Sequence, residues 1–241
     1  MFLTAKLTER GARPVNEDAA EFFVHGTRGC WVVADGLGGH RGGEIASCLA
    51  AEAFIASFQC DPDCTPEAMR KHLIAGNQAI VERQLIAPEL SVMRSTIAGL
   101  VACESSCVSG HAGDSRLYHF RHGKILHCTR DHSVPQALAD AGEIDRAGIR
   151  AHEDRNSLLR SLGSPDKDLK PEILAFETHL GDALLLCTDG LWAPVVEQEM
   201  EQDLAASHSP DQWLQRMQLR VRQAADPDQD NYSAIAIWRR A

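Results

Sequence analysis

Residues 30–36 read CWVVADG and residues 182–190 read DALLLCTDG, two apolar runs that each stop at an Asp-Gly step. Short apolar runs bounded by turn residues predict strands. Each run therefore leaves a carboxylate, Asp35 or Asp189, at a strand end, where glycine lets the chain turn and bares a backbone carbonyl. One such step is most often only a turn, because Asp supports turns through its own side-chain hydrogen bonds. The placement recurs at Asp18 in NED, Asp114 in HAGDSR and Asp230 in DQDNYS. Carboxylates that converge without Lys or Arg partners repel one another and raise one another's pKa. Divalent cations resolve that conflict, and an all-oxygen ligand set favours Mg²⁺ or Mn²⁺ over zinc.

Working outward, residues 4–8 and 30–34 predict strands, and residues 44–58 predict a helix with Ile45, Leu49, Ala53 and Phe54 on one face. Thr65 and Pro66 supply the cap and first position of a second helix carrying Met69, Leu73, Ile80 and Leu85. Runs at 95–102, 106–112, 116–121 and 124–128 predict an antiparallel meander. Ser133 and Gln136 are spaced as a capping box. The stretch they open, residues 133–170, is polar and rich in Asp, Arg and Gly; it reads as a functional flap or as a solvated loop with two short helices. Residues 172–178 and 183–187 predict strands, Ser209-Pro210-Asp211-Gln212 opens a last helix, and residues 232–238 alternate as a final strand. Strands before and after paired helices indicate an α+β chain rather than alternating βαβ units.

The 241 residues carry 34 acidic and 24 basic side chains, a formal charge of -10. That balance argues against nucleic acid or an anionic membrane as partner, since both need clustered Lys and Arg. The opening MFLTAKLTERG has no apolar run long enough for a signal-peptide core, and no stretch has the length to span a bilayer. Eight cysteines without a secretion signal predict free thiols in a reducing compartment, hence the cytoplasm. The offsets Cys60/Cys64 and Cys103/Cys107 read as loop and strand thiols rather than a zinc site.

Eight motifs run along the chain: GARPVNED (11–18), VADGLGGH (33–40) with Gly43-Glu44 and Ala46-Ser47, RST (94–96), HAGDSRLY (111–118), TRDHS (129–133), RNSLLRSLG (155–163), DALLLCTDGLW (182–192) and DNYS (230–233). In this order, and over nearly the whole chain, they resemble the PPM family of metal-dependent protein phosphatases (protein phosphatase type 2C) in its compact bacterial form. The resemblance implies one domain over residues 1–241, a central β-sandwich of two antiparallel sheets flanked by helices, with a flap at residues 133–170 near the active site. It implies two Mg²⁺ or Mn²⁺ ions: Asp35 bridging them, the Gly36 carbonyl joining one, Asp189 and Asp230 holding the other. Glu17 would act largely through water, with Asp18 beside it, and Asp114 with Asp189 would offer a weaker third site. Arg13 would grip the substrate phosphate. Leu37 departs from the histidine that many animal relatives carry after Asp-Gly; His40, three residues on, reads either as the substitute general acid or as a solvent-facing turn histidine. Arg94 replaces a small residue. His111, His132 and His152 read as structural histidines and Asp131 as a turn cap.

The expected function is hydrolysis of phosphoserine and phosphothreonine by a metal-activated water at a binuclear centre, without a phosphoenzyme. Cysteine-based phosphatase chemistry is not expected. The setting implied is a stand-alone cytoplasmic monomer opposing a bacterial Hanks-type kinase and acting on its phosphorylated Ser/Thr proteins. Two rivals remain: a catalytically silent relative that binds phosphoproteins, and another acidic metallohydrolase such as a nuclease, which the negative charge disfavours.

Overall fold

The computed structural model describes residues 1–38, 42–164 and 169–240. Within them the chain runs β1 (Phe2–Glu9), β2 (Asp18–His25), β3 (Arg28–Leu37), α1 (Gly42–Cys60), α2 (Pro66–Ile86), β4 (Arg94–Ser95), β5 (Ile97–Cys103), β6 (Ser106–Ala112), β7 (Arg116–Arg121) and β8 (Lys124–Cys128). It continues with α3 (Val134–Ala141), α4 (Gly148–Ala151), β9 (Glu172–Glu177), β10 (Ala183–Cys187), α5 (Asp189–Trp192), α6 (Glu197–Ala205), α7 (Pro210–Ala224) and β11 (Tyr232–Arg239).

Two antiparallel sheets face each other. One has the order β1-β11-β10-β7-β8 and the other β2-β3-β5-β6-β9, with β4 paired to the end of β3. Alternation along the strands divides the apolar residues into three layers. Trp31, Val33, Leu100, Leu117, Leu186 and Ile235 fill the space between the sheets. Cys30, Val32, Val101 and Val108 point the other way, against α1 and α2. Leu185, Cys187, Ala234 and Trp238 pack with Trp213, Leu214 and Met217 of α7. Both faces of the inner strands are thus covered, which is why 30–34 and 183–187 read as unbroken apolar runs.

Helix α1 approaches its sheet through Ala46, Ala50, Phe54 and Phe58, one residue per turn, while Ile45 and Leu49 of the expected face are only half buried. Small residues win that face because they let the helix sit close to the sheet; a Cβ on Gly99 of β5 would lie 2.7 Å from the Phe54 ring. Thr65 caps α2 as expected, accepting from the Ala68 N–H at 3.2 Å. Met69, Leu73 and Ile80 are buried, but Leu85 is 78% exposed on the last turn.

Several expectations need correction. Strand β2, DAAEFFVH, and helices α5 and α6 form where the sequence pattern predicts no element. The expected meander is divided: β5 and β6 pair in one sheet, β7 and β8 in the other, and the chain crosses between sheets at residues 113–115. Ser133 caps α3 by accepting from the Gln136 N–H, yet the Gln136 amide turns to Asp140 at 2.8 Å, so the capping box is half formed. The described part of residues 133–170 holds α3, α4, a bridge within the segment from Ser133 to Leu158 and one bridge back to the body, Leu162 with Ser95. Among the described residues no helix is long and apolar enough to cross a membrane.

Candidate active site

The strand ends gather the carboxylates. Asp18 opens β2 directly opposite Asp35 in β3. Asp114 lies on the crossing between sheets, Asp189 starts the short turn after β10, and Asp230 precedes β11. The Asp35 backbone is clamped on both sides: its N–H donates to Thr96 Oγ1 at 2.9 Å, and its carbonyl accepts from the Thr96 N–H at 2.8 Å and from Ser95 Oγ at 3.0 Å. Thr188 Oγ1 donates to Asp18 Oδ2 at 2.8 Å. Asn231 ties the first motif to the last. Its Oδ1 accepts from the Glu17 N–H at 2.8 Å, and its Nδ2 donates to the carbonyls of Arg10 and Val15.

Two glycines are demanded by close approach. A Cβ at Gly36 would lie 2.0 Å from the Gly43 carbonyl oxygen and 2.6 Å from that of Glu17. A Cβ at Gly190 would lie 1.9 Å from the Asn231 oxygen. The Asp-Gly steps therefore let neighbouring chains press against the residues that carry the carboxylates.

The result is a cleft of about 190 Å³ lined by Arg13, Glu17, Asp35, Gly36, Asp114, Asp189 and Asp230, together with Asn156 and Leu158 from the 133–164 segment. Asp18 lies behind this wall, buried. Arg13 Nη2 meets Asp230 Oδ2 at 3.0 Å with half of its side chain exposed. His40 lies outside the described residues. A second cavity of about 200 Å³ opens at the other ends of β10 and β11; its one carboxylate, Asp182, is already bonded by His119 and Arg121.

Electrostatically the cluster is frustrated. Burial, then the charges of Asp18, Asp189, Asp114 and Asp230, push Asp35 well above the usual carboxylate range, although one edge of it opens to the cleft. Burial and the Asp189 charge do the same to Asp114. Burial lifts Asp18 to about 7 against the bonds from Thr188 and Ser233, and burial with Asp230 lifts Asp189 to about 6. Glu17 is raised by burial and then by Asp230. Asp18 Oδ1 and Asp114 Oδ1 are buried without a hydrogen-bond partner. Buried carboxylate oxygens with no donor carry a desolvation cost that a hard cation removes. The donor set is oxygen throughout, so the residues present fit Mg²⁺ or Mn²⁺.

Other residues resolve differently. Asp131, read as a turn cap, instead forms a buried two-point ion pair with Arg116, at 2.8 and 2.7 Å. His111 Nε2, which must carry the proton, donates to the Arg130 carbonyl at 2.8 Å, and His132 Nδ1 accepts from the Gly113 N–H at 3.3 Å. Donor atoms of His111, His132 and Glu172 lie within 4.8 Å of one another. The two rings are stacked 4.5 Å apart with 1° between their planes, so no single point lies in both planes, and the Arg160 guanidinium sits 3.1 Å from His132 Nε2. That trio is a poor metal site. Cys64 stands six positions before Arg70 in CTPEAMR, the C-x5-R spacing of cysteine phosphatases. Burial pushes its thiol up to about 12 and Arg70 is exposed on α2, so no thiolate nucleophile forms there. Thr96, Thr188 and Asn231, which hold the carboxylates in place, were not singled out from sequence, although each stands inside a quoted motif.

The family model described as Protein phosphatase 2C matches residues 9–230. The chain is 33% identical over 210 residues to the serine/threonine phosphatase stp of Listeria welshimeri, covering 84% of this chain and 82% of that protein. Among solved structures it resembles the serine/threonine phosphatase Stp1 from Staphylococcus aureus with a TM-score of 0.89 at 27% identity, covering 100% of this chain and 96% of that one. It also resembles the catalytic domain of the serine/threonine protein phosphatase PstP in complex with two manganese ions, with a TM-score of 0.84 at 27% identity over 98% of this chain and 97% of that one.

Proposed function

The chain belongs to the protein phosphatase 2C family, and from that premise we propose that it is a metal-dependent serine/threonine phosphoprotein phosphatase with its centre in the carboxylate cleft. The observation that carries the reading is the set of mutually repelling carboxylates, three of them buried and two with an unpartnered oxygen, gathered from distant parts of the chain at one end of the sandwich. A silent binding relative would have no use for so costly a cluster.

In this reading Asp35 and the Gly36 carbonyl would hold one ion, and Asp35, Asp189 and Asp230 would hold another. Glu17 would contribute through water, and Asp114 with Asp189 would form a weaker third site. Bound there, Mg²⁺ or Mn²⁺ supplies positive charge for the phosphoryl oxygens and lowers the pKa of water. The rest is the work of this chain's own residues. Arg13 presents a planar two-point donor to the phosphate, oriented by Asp230. Asp18, fixed by Thr188 behind Asp35, positions that side of the site. Asn156 and Leu158 bring the described part of the 133–170 segment to the cleft edge, and that segment serves as a flap over the phosphopeptide. We assign the whole chain to one domain, and its setting to the cytoplasm as a monomer opposing a Hanks-type kinase.

The test is a phosphopeptide panel assayed with Mn²⁺, Mg²⁺ and chelator, beside DNA and RNA. Release of phosphate from phosphoserine and phosphothreonine peptides only with added metal is the expected result. Turnover that survives EDTA, or cleavage of nucleic acid instead, sinks the proposal.

A further inference from the structure

Resting on that reading of the cleft, we infer that Trp192 is the positioning residue for the Asp114–Asp189 pair and thereby sets the affinity of the weak cation site those two carboxylates form. Trp192 is joined to both partners. It closes the single turn of α5 that Asp189 begins, with its backbone N–H on the Thr188 carbonyl at 3.3 Å. Its indole Nε1 donates to the main-chain oxygen of Asp114 at 2.9 Å, across 78 residues of sequence. The backbone anchor matters because Asp114 Oδ1 has no partner of its own. Asp114 also follows Gly113, whose φ of 108° gives the crossing a conformation most residues avoid.

The ring is held as firmly as its neighbours. Trp192 is 3% exposed, and the Arg116 guanidinium lies 3.5 Å over its centroid. Arg116 cannot swing away, because Asp131 grips it at two points and Tyr118 Oη accepts from its Nη1 at 2.9 Å. Arg116 sits two residues after Asp114, so the indole is pinned to the Asp114 strand by its face as well as by its N–H. A fixed ring bonded to one carboxylate's backbone and carrying the other on its own turn sets the distance between them.

Trp192→Phe deletes the donor and keeps a ring beneath Arg116. Trp213→Phe is the control, since Trp213 loses an equivalent buried bond, to the Met200 carbonyl at 3.1 Å, in the helical layer away from the cleft. Calorimetric Mn²⁺ titration of Trp192→Phe should weaken the weakest binding step about three- to tenfold, the worth of one such hydrogen bond, and leave the tighter steps within about twofold. Trp213→Phe should lower the melting temperature without changing any step. With 5-fluorotryptophan label, the Trp192 ¹⁹F resonance should move at the Mg²⁺ concentration that fills the weak site. If Trp192→Phe does not fold, Trp31→Phe, Trp213→Phe and Trp238→Phe assign that resonance by elimination, and an unmoved signal overturns the inference. An unchanged weak step in folded Trp192→Phe, or equal weakening in the Trp213→Phe control, overturns it as well. Wild-type protein that binds no Mn²⁺, or Asp114→Asn that keeps every step, removes the reading of the cleft itself and this inference with it.

Discussion

At the scale of single residues, Asp35 and Arg13 play opposite parts in the charge balance, and substitution should separate them. Asp35 is crowded by four other carboxylates, so its charge destabilises the metal-free protein. Asp35→Asn should abolish phosphatase activity while raising the melting temperature in EDTA by a few degrees, because it removes one repelling charge and keeps the shape. A variant that turns over at near wild-type rates, or that melts lower in EDTA, contradicts that role. Arg13 is half exposed and its ion pair with Asp230 is worth little to stability. Arg13→Ala should leave the melting temperature nearly unchanged yet cost about ten- to a hundredfold in kcat/KM on phosphopeptides, the worth of a hydrogen bond to a charged group. Lysine should restore only part of the loss, since it keeps the charge without the two-point geometry. Identical steady-state constants for Arg13→Ala would return the residue to the solvent surface.

Among elements, legibility followed burial. Strands covered on both faces, such as β3 and β10, announced themselves as apolar runs, and cap chemistry at Thr65 and Ser209 marked two helix starts. Strand β2 escaped because its second half is half exposed and carries Glu21 amid its apolar residues. The crossing after β6 also escaped: local pattern shows that two strands are consecutive, not which sheet each joins. The carboxylates are legible as Asp residues at turns, Asp35-Gly36, Asp189-Gly190 and Asp230-Asn231 among them, but the hydroxyls and amide that brace them are not. Thr96, Thr188 and Asn231 act across 61, 170 and 214 residues of chain, distances that leave no local signal. The glycines have element-scale consequences. Gly36→Ala would drive a methyl into the Gly43 carbonyl, wedging β3 from the start of α1. The loss should be about 1–3 kcal/mol in urea unfolding, together with weaker Mn²⁺ binding, because Asp35 would shift with its strand. An unchanged unfolding midpoint would falsify this account of the Asp-Gly step.

Across the whole molecule, the site makes stability depend on pH and metal together, with a sign that can be worked out. Asp18 and Asp189 have ordinary values of 3.8 and are lifted in the folded state to about 7 and about 6, by burial above all. A group whose folded pKa lies above its unfolded one stabilises fully below the unfolded value and loses that contribution as pH rises through the folded value. The metal-free protein should therefore lose stability progressively from about pH 4 to about pH 8, as Asp18 and Asp189 are forced to ionise inside the buried cluster. Asp182 works in the other direction. Burial raises it, but hydrogen bonds from Arg121, the His179 N–H and His119 outweigh burial and hold it down to about 2. Its contribution is present above its ordinary value of 3.8 and fades only as pH falls toward 2, so the two effects occupy separate windows. Cations compete with protons for the cleft oxygens, and their stabilisation must therefore grow as the carboxylates ionise. Melting temperatures measured from pH 4 to pH 8, in EDTA and in excess Mg²⁺, should coincide at the acidic end and diverge steadily toward the alkaline end. The EDTA curve should fall while the Mg²⁺ curve stays level. In Asp35→Asn the gap should shrink, since one repelling charge and the carboxylate shared by both proposed ions are gone together. Two parallel curves with a constant gap would mean that the cation binds away from these carboxylates, and the cleft would lose its claim to the metal.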